Sequence, residues 1–297
     1  MVDLPGHYRV QFASTVSLLL QQRGSKLRPH VMTSPMKGKA ASPVDQYGVS
    51  EATERFARNE PKTAANTPTD RRWAYPRFFD WSEVVDDLDT LQSISDPQNP
   101  LVQSCNNALG RRIDDEILRA FFADAKTGEQ GGTTVSFPAG QQVGVNVGGA
   151  GTPLNVMKLR ASKKILMANE VDLEADPIIC VVNAVQHDAL FNEVQITSAD
   201  FNGGDKPVMK DGKIMRFLGI EFVHCERVNG LRSGGNDLIP VYAKSGLALG
   251  VWGDIATDIG PRRDLKGNPT EISGSLTVGA TRTEEKKVVQ IACDDTI

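Results

Sequence analysis

The chain has 297 residues, of which 40% are hydrophobic and 24% charged, ordinary values for a globular protein and the wrong ones for a disordered protein. That length admits one large domain or two of average size. A formal net charge of -4 excludes nucleic-acid binding driven by global charge.

Charge is unevenly spread. From Arg9 to Lys39 every charged residue is basic (Arg9, Arg23, Lys26, Arg28, Lys37, Lys39). From Glu83 to Asp96 every one is acidic (Glu83, Asp86, Asp87, Asp89, Asp96). Such blocks form solvated faces, or complementary surfaces that meet between subunits. The cysteines Cys105, Cys180, Cys225 and Cys293 are far apart and contain no C-x-x-C pair, so they fit buried free thiols better than a zinc site or a disulfide framework.

In chain order, "YRVQFASTVSLLLQQRG" (residues 8–24) predicts one short amphipathic helix. Gln11, Ser14 and Ser17 interrupt it and Gln21-Gln22-Arg23 follows the leucines, unlike a signal peptide. Residues 34–81 are polar, and Pro35, Pro43, Pro61, Pro68 and Pro76 leave no room for a helical stripe. Two long strands with a tip near "NEPKTAANTP" are expected. That ribbon carries Phe56, Trp73, Tyr75, Phe78, Phe79 and Trp81, aromatics that a lone two-stranded ribbon has no core to bury.

"NPLVQSCNNALGRRIDDEILRAFFADAKTG" predicts a long helix, starting at Asn99-Pro100 and stopping at Gly128. Its apolar residues Leu101, Cys105, Leu109, Ile113, Ile117 and Phe121 step by four. Against 3.6 residues per turn such a stripe drifts by about 40° per step, so it winds around the helix and meets different partners along its length. Residues 128–153 are Gly-rich and read as a loop or hairpin. "LNVMKLRASKKILMANEV" predicts a second helix, with Leu154, Met157, Leu159, Ala161, Ile165 and Leu166 on its apolar side. "PIICVVNAVQHDALF" reads as a buried strand entering a short helix, and Asp211-Gly212 as a hairpin turn. Leu276, Val278, Ala280 and Val289, Ile291, Cys293 alternate on either side of "TEEKK", which predicts an antiparallel pair.

Signs of chemistry are few. His7, His30, His187 and His224 stand in four separate contexts, and there is no H-E-x-x-H, G-x-S-x-G or Walker loop. Asp114, Asp115 and Glu116 are consecutive on a helix and point about 100° apart, so they do not converge on one ion. Neither a metal site nor a cofactor site is expected, and no stretch is long and apolar enough to span a bilayer. Arginines among the ribbon aromatics (Arg55, Arg58, Arg71, Arg72, Arg77) suggest a single-strand nucleic-acid platform only weakly, because Glu51, Glu54, Glu60 and Asp70 share the segment.

The order of these elements resembles the major capsid protein of tailed double-stranded DNA bacteriophages, the Hong-Kong-97-like α+β fold. "KIMRFLGIEFVHCERV" (Lys213 to Val228), "IICVVNAVQHDALF" (Ile178 to Phe191), "LALGVWGDIATDI" and "GATRTEEKKVVQIA" resemble segments of that family. The resemblance implies an N-arm at 1–33, an extended E-loop at 34–96, a peripheral (P) domain with the spine helix at 97–135, an axial (A) domain at 136–252, and C-terminal P-domain strands at 253–297. It implies a structural subunit, not an enzyme, that self-assembles into pentamers and hexamers of an icosahedral head enclosing double-stranded DNA. An encapsulin-like nanocompartment shell is the alternative, which the long N-arm and E-loop disfavour. Implied partners are further copies of the chain, a portal, a scaffolding protein, decoration proteins and, weakly, the packaged DNA; too little chain precedes the arm for a built-in scaffold. The implied location is the virion, after assembly in the bacterial host cytoplasm. On this reading the subunit interface draws on Arg55, Arg58, Lys62, Arg71, Arg72, Trp73, Tyr75 and Phe78 of the ribbon. Facing them on the next copy would be Asp86, Asp87, Asp89 or the helical Asp114, Asp115 and Glu116.

Overall fold

The computed structural model describes residues 19–54, 56, 58, 64, 67–85, 98–197, 209–210 and 212–294. The helix expected over 8–24 falls mostly outside them; residues 19–27 are irregular, and Leu19 and Leu20 are exposed. The ribbon region supplies β1 (Met32–Pro35), β2 (Ala41–Tyr47), β3 (Thr69–Ala74) and β4 (Arg77–Val85). The long helix α1 spans Gln98–Phe122, followed by β5 (Ala125–Thr127), β6 (Thr133–Val135) and β7 (Gln142–Val143). Next come α2 (Val156–Ala168), β8 (Ile178–Val182), α3 (Ala184–Phe191) and α4 (Val194–Thr197). Short strands β9 (Met209–Lys210), β10 (Lys213–Ile214) and β11 (Arg216–Phe217) precede β12 (Ile220–His224) and β13 (Arg232–Ser233). The chain closes with β14 (Asn236–Ala243), β15 (Leu247–Pro261), β16 (Thr270–Arg282) and β17 (Val288–Cys293).

The chain divides into two compact units: Met1–Ser25, Phe78–Arg112 and Gly253–Thr277 form one, and Lys26–Arg77, Ile113–Trp252 and Val278–Ile297 the other. Helix α1 contributes residues to both, which is what a winding stripe permits. Cys105, Leu109, Ile113, Ile117 and Phe121 are all buried. In the first unit the helix lies so close to β16 that a Cβ on Gly274 would fall 2.2 Å from Cys105 Sγ. In the second, the Phe121 ring packs 4.6 Å from that of Tyr242.

The second unit is built on a mixed sheet of order β11-β12-β8-β14-β17-β7, with β13 added to β14. All five residues of β8, "IICVV", are buried, as an unbroken apolar run in a central strand requires. It pairs parallel with β12 and antiparallel with β14. Asn183 and Asn155 start α3 and α2 by accepting from the backbone N–H of Gln186 and Lys158. Helix α2 packs on β17, and its Leu159 and Leu166 are fully buried. Met157, expected on its apolar side, is instead exposed, and Val156, Lys158 and Ser162 are buried along with Leu159 and Leu166. The Lys158 ammonium is satisfied there by the carbonyls of Thr152 and Ala292.

Two further expectations are corrected. The C-terminal strands do not pair with each other: β16 lies between β15 and β4, whereas β17 pairs with β14 and β7. Alternation fixes which face of a strand is buried and says nothing of its partner. Helix α1 ends at Phe122, before Gly128, and there the Arg282 guanidinium donates to the carbonyls of Phe121 (2.8 Å) and Ala123 (2.9 Å). The hairpin expected at residues 211–212 agrees with the antiparallel pairing of β9 with β10, and a second turn follows at Leu218-Gly219, both at positive φ (52° and 80°), between β11 and β12.

Candidate subunit interface

The ribbon is anchored at its root. Strands β2 and β3 pair antiparallel, as expected, with an irregularity between Ala41 and Val44. β3 also pairs with β5, and β5 with β6. That second partner gives the Trp73 indole N–H an acceptor, the Gly128 carbonyl at 2.7 Å, and leaves the ring half-buried. Asp70 accepts from the Thr127 hydroxyl and the backbone N–H of Arg71 and Gly128. The Thr127 hydroxyl foremost, then the two amides, hold its carboxyl below the usual range.

Beyond the root, apolar surface is left uncovered. Phe56 is 83% and Phe78 75% exposed, and Tyr75 is exposed as well. Along β4, an edge strand among the described residues, only Val85 is buried; Phe79 and Trp81 are half-buried.

The charged residues expected at an interface fall into distinct groups. Arg55, Lys62, Asp86, Asp87 and Asp89 lie outside the described residues. Arg58 is exposed, and Arg71 is exposed and paired across the ribbon with Asp45 at 2.9 Å. Arg72 is a correction: it is buried in its own chain, with Nη2 2.6 Å from Glu285 Oε2 and Nε donating to Gln46 Oε1. Exchanging it for Glu would set two carboxylates together in the interior, so the substitution would unfold the root of the ribbon as well as alter its surface.

The acidic triplet is likewise committed within the chain. Asp114 is fully buried and accepts from the backbone N–H of Lys26 (3.0 Å) and Leu27 (3.1 Å). Asp115 holds both Nε and Nη2 of Arg227, the latter at 2.6 Å. Glu116 is buried between Arg77 (2.5 Å) and Arg119 (2.9 Å). Sequence reasoning missed the partners Arg282 and Glu285, since "TEEKK" reads as an ordinary charged turn and nothing local marks them as interior.

The other candidates for chemistry are structural in position. His187 Nε2 accepts from the Ile214 N–H at 3.3 Å, and His224 Nε2 lies 2.7 Å from Glu226 Oε1. The four cysteines are buried and form no disulfide, and burial pushes the Cys293 thiol up to about 12. Among the described residues no three His, Cys, Asp or Glu side chains cluster as metal ligands. No described helix is long and apolar enough to cross a membrane.

A profile of the phage capsid protein family matches residues 4–295. No curated protein matches the sequence. Among solved structures, the capsid of cyanophage P-SCSP1u is similar with a TM-score of 0.76 at 13% identity, over 98% of this chain and 94% of that one. The capsid subunit of cyanophage Pam1 gives 0.74 at 10% identity, covering 98% and 97%. The capsid of a native gene transfer agent (GTA) particle gives 0.72 at 15%, covering 98% and 96%. The fold is thus the mixed helix and sheet fold of phage capsid subunits. The chain belongs to the phage capsid protein family and is a major capsid protein of a virion shell. That match favours the phage reading over the nanocompartment one.

Proposed function

We propose that copies of this chain form the pentamers and hexamers of an icosahedral head around double-stranded DNA, with the ribbon of each copy laid across its neighbour. The observation that carries this reading is the exposure of Phe56 and Phe78 on a ribbon whose root pairs with β5. Repeated contacts of obligate size, ~2,000 Å² or more, supply the cover a single copy lacks. Residues 34–96 act as the E-loop, 97–135 and 253–297 as the peripheral domain, and 136–252 gather at the five- and six-fold axes. Arg58 and Arg71, with Arg55 and Lys62, form the basic side of the contact. The head is assembled in the bacterial cytoplasm with a portal and a scaffolding protein, and decoration proteins bind its outside. The role is structural, and the basic N-arm touches DNA weakly.

Electron microscopy of the expressed chain tests this. Closed shells are expected. Phe78→Asp should lower their yield by about tenfold or more while leaving the melting temperature of the free subunit unchanged, because Phe78 is exposed there. Normal shells from that variant would contradict the proposed contact.

A further inference from the structure

A cleft of about 670 Å³ lies between the tip-side end of the β2–β3 pair and the turn after β16, which contributes Thr283, Glu284 and Lys287. That is the size of an ordinary ligand cleft. Met32, Val44, Tyr47 and Pro68 are its apolar lining, and Tyr47 is 78% exposed. A second recess of about 410 Å³ shares Tyr47 and Asp70 with it and adds Glu129. The carboxylates here are of two kinds. Asp45 is paired with Arg71 at 2.9 Å, and Glu284 with Lys287 at 3.3 Å. Asp70 and Glu129 differ. The hydrogen-bond donors to Asp70 are neutral, the Thr127 hydroxyl and two backbone amides, and they keep it ionised. Arg72 attracts it as well, but that guanidinium already lies 2.6 Å from Glu285. Glu129 is exposed and has no ion pair among the described residues. An uncovered tyrosine beside two such carboxylates suits a segment that sets an aromatic ring next to arginine. Rings pack edge to face, and a guanidinium both binds carboxylates and lies over a ring.

We propose that this cleft receives the ribbon tip of a second copy, with Phe56 against Tyr47 and Arg58 toward Asp70 and Glu129; the inference rests on the shell reading above. The tip sequence sets Arg55, Arg58 and Lys62 around Phe56. Within one copy Phe56 is 83% exposed, Arg58 is exposed too, and neither lines the cleft, so a copy leaves its own tip outside. The other basic stretch, Arg23 to Lys39, contains no Phe, Tyr or Trp, and its Lys26 already donates to the His224 carbonyl. Each copy gives one tip and receives another, a head-to-tail contact of the kind that closes into rings. Its charged part is screened by salt.

Charge reversal tests the assignment. Arg58→Glu and Glu129→Arg should each lower shell yield about tenfold or more, because like charges then meet at every such contact. Both side chains are exposed, so the free subunit should melt as the wild type does. The double variant should assemble within about twofold of wild type. An equimolar mixture of the two single variants should exceed either alone by about threefold or more, since tip and cleft come from different copies. The proposal is overturned if either single variant assembles normally, if the double variant does not recover, or if the mixture gains nothing. A loss from Glu129→Arg alone would give the cleft to another basic segment, and a loss from Arg58→Glu alone would send the tip elsewhere. Should a reversal unsettle the fold, Arg58→Gln and Glu129→Gln serve in its place. Their double variant should lose no more than either single one, and losses that multiply would overturn the contact. A wild-type chain that forms no shells would instead sink the shell reading itself.

Discussion

Three neighbouring carboxylates on α1 do three different things, and their neighbours decide which. Asp114 accepts from backbone amides, Asp115 holds the Arg227 guanidinium and Glu116 lies between Arg77 and Arg119. The same dependence on surroundings governs His187. Burial pushes its imidazole below the ordinary 6.5, the facing His224 and Lys213 add to this, and Asp188 opposes it. The ring packs edge-on against Phe191, and its Nε2 lone pair holds the Ile214 N–H, so the neutral form is the one the fold uses. Below 6.5 the unfolded chain binds a proton that the folded chain resists. The contribution of His187 is therefore complete above 6.5 and is lost as pH falls through the folded value. Ring-proton NMR should place the His187 midpoint below 6.5, and His187→Gln should flatten the fall in stability between pH 7 and pH 5. A midpoint at or above 6.5 would contradict this.

Among elements, α1 shows what a sequence displays and what it hides. The step of four from Cys105 to Phe121 is a local pattern, and every one of those residues is buried. Where the helix stops is not local: the group that receives its last carbonyls, Arg282, stands 161 residues beyond Phe121. The same limit explains the C-terminal strands, whose alternation was legible while their partners, β15 and β4 for one and β14 and β7 for the other, were not. It also explains Arg72, which looks like a surface arginine until Glu285 is brought beside it. Arg282→Leu should thus cost about 3 kcal/mol or more in denaturant unfolding, since it strands the carbonyls of Phe121 and Ala123 and half of a buried ion network. A loss under about 1 kcal/mol would show that water replaces the guanidinium there.

For the whole molecule, a TM-score of 0.76 at 13% identity means that the capsid fold is held by burial pattern more than by particular residues. That is why element order was enough to suggest the class, whereas the interface, which depends on individual side chains, was only partly legible. Five of its expected residues are placed outside the described chain, and Arg72, Asp114 and Glu116 are interior. The central claim concerns the exposed ribbon aromatics Phe56, Tyr75 and Phe78, which the proposed shell contact would cover. Hydroxyl-radical footprinting of Phe56, Tyr75 and Phe78, in the free subunit and in purified shells, addresses it most directly. All three should react readily in the subunit and be protected about fivefold or more in the shell. Equal reactivity in the two states would contradict the account.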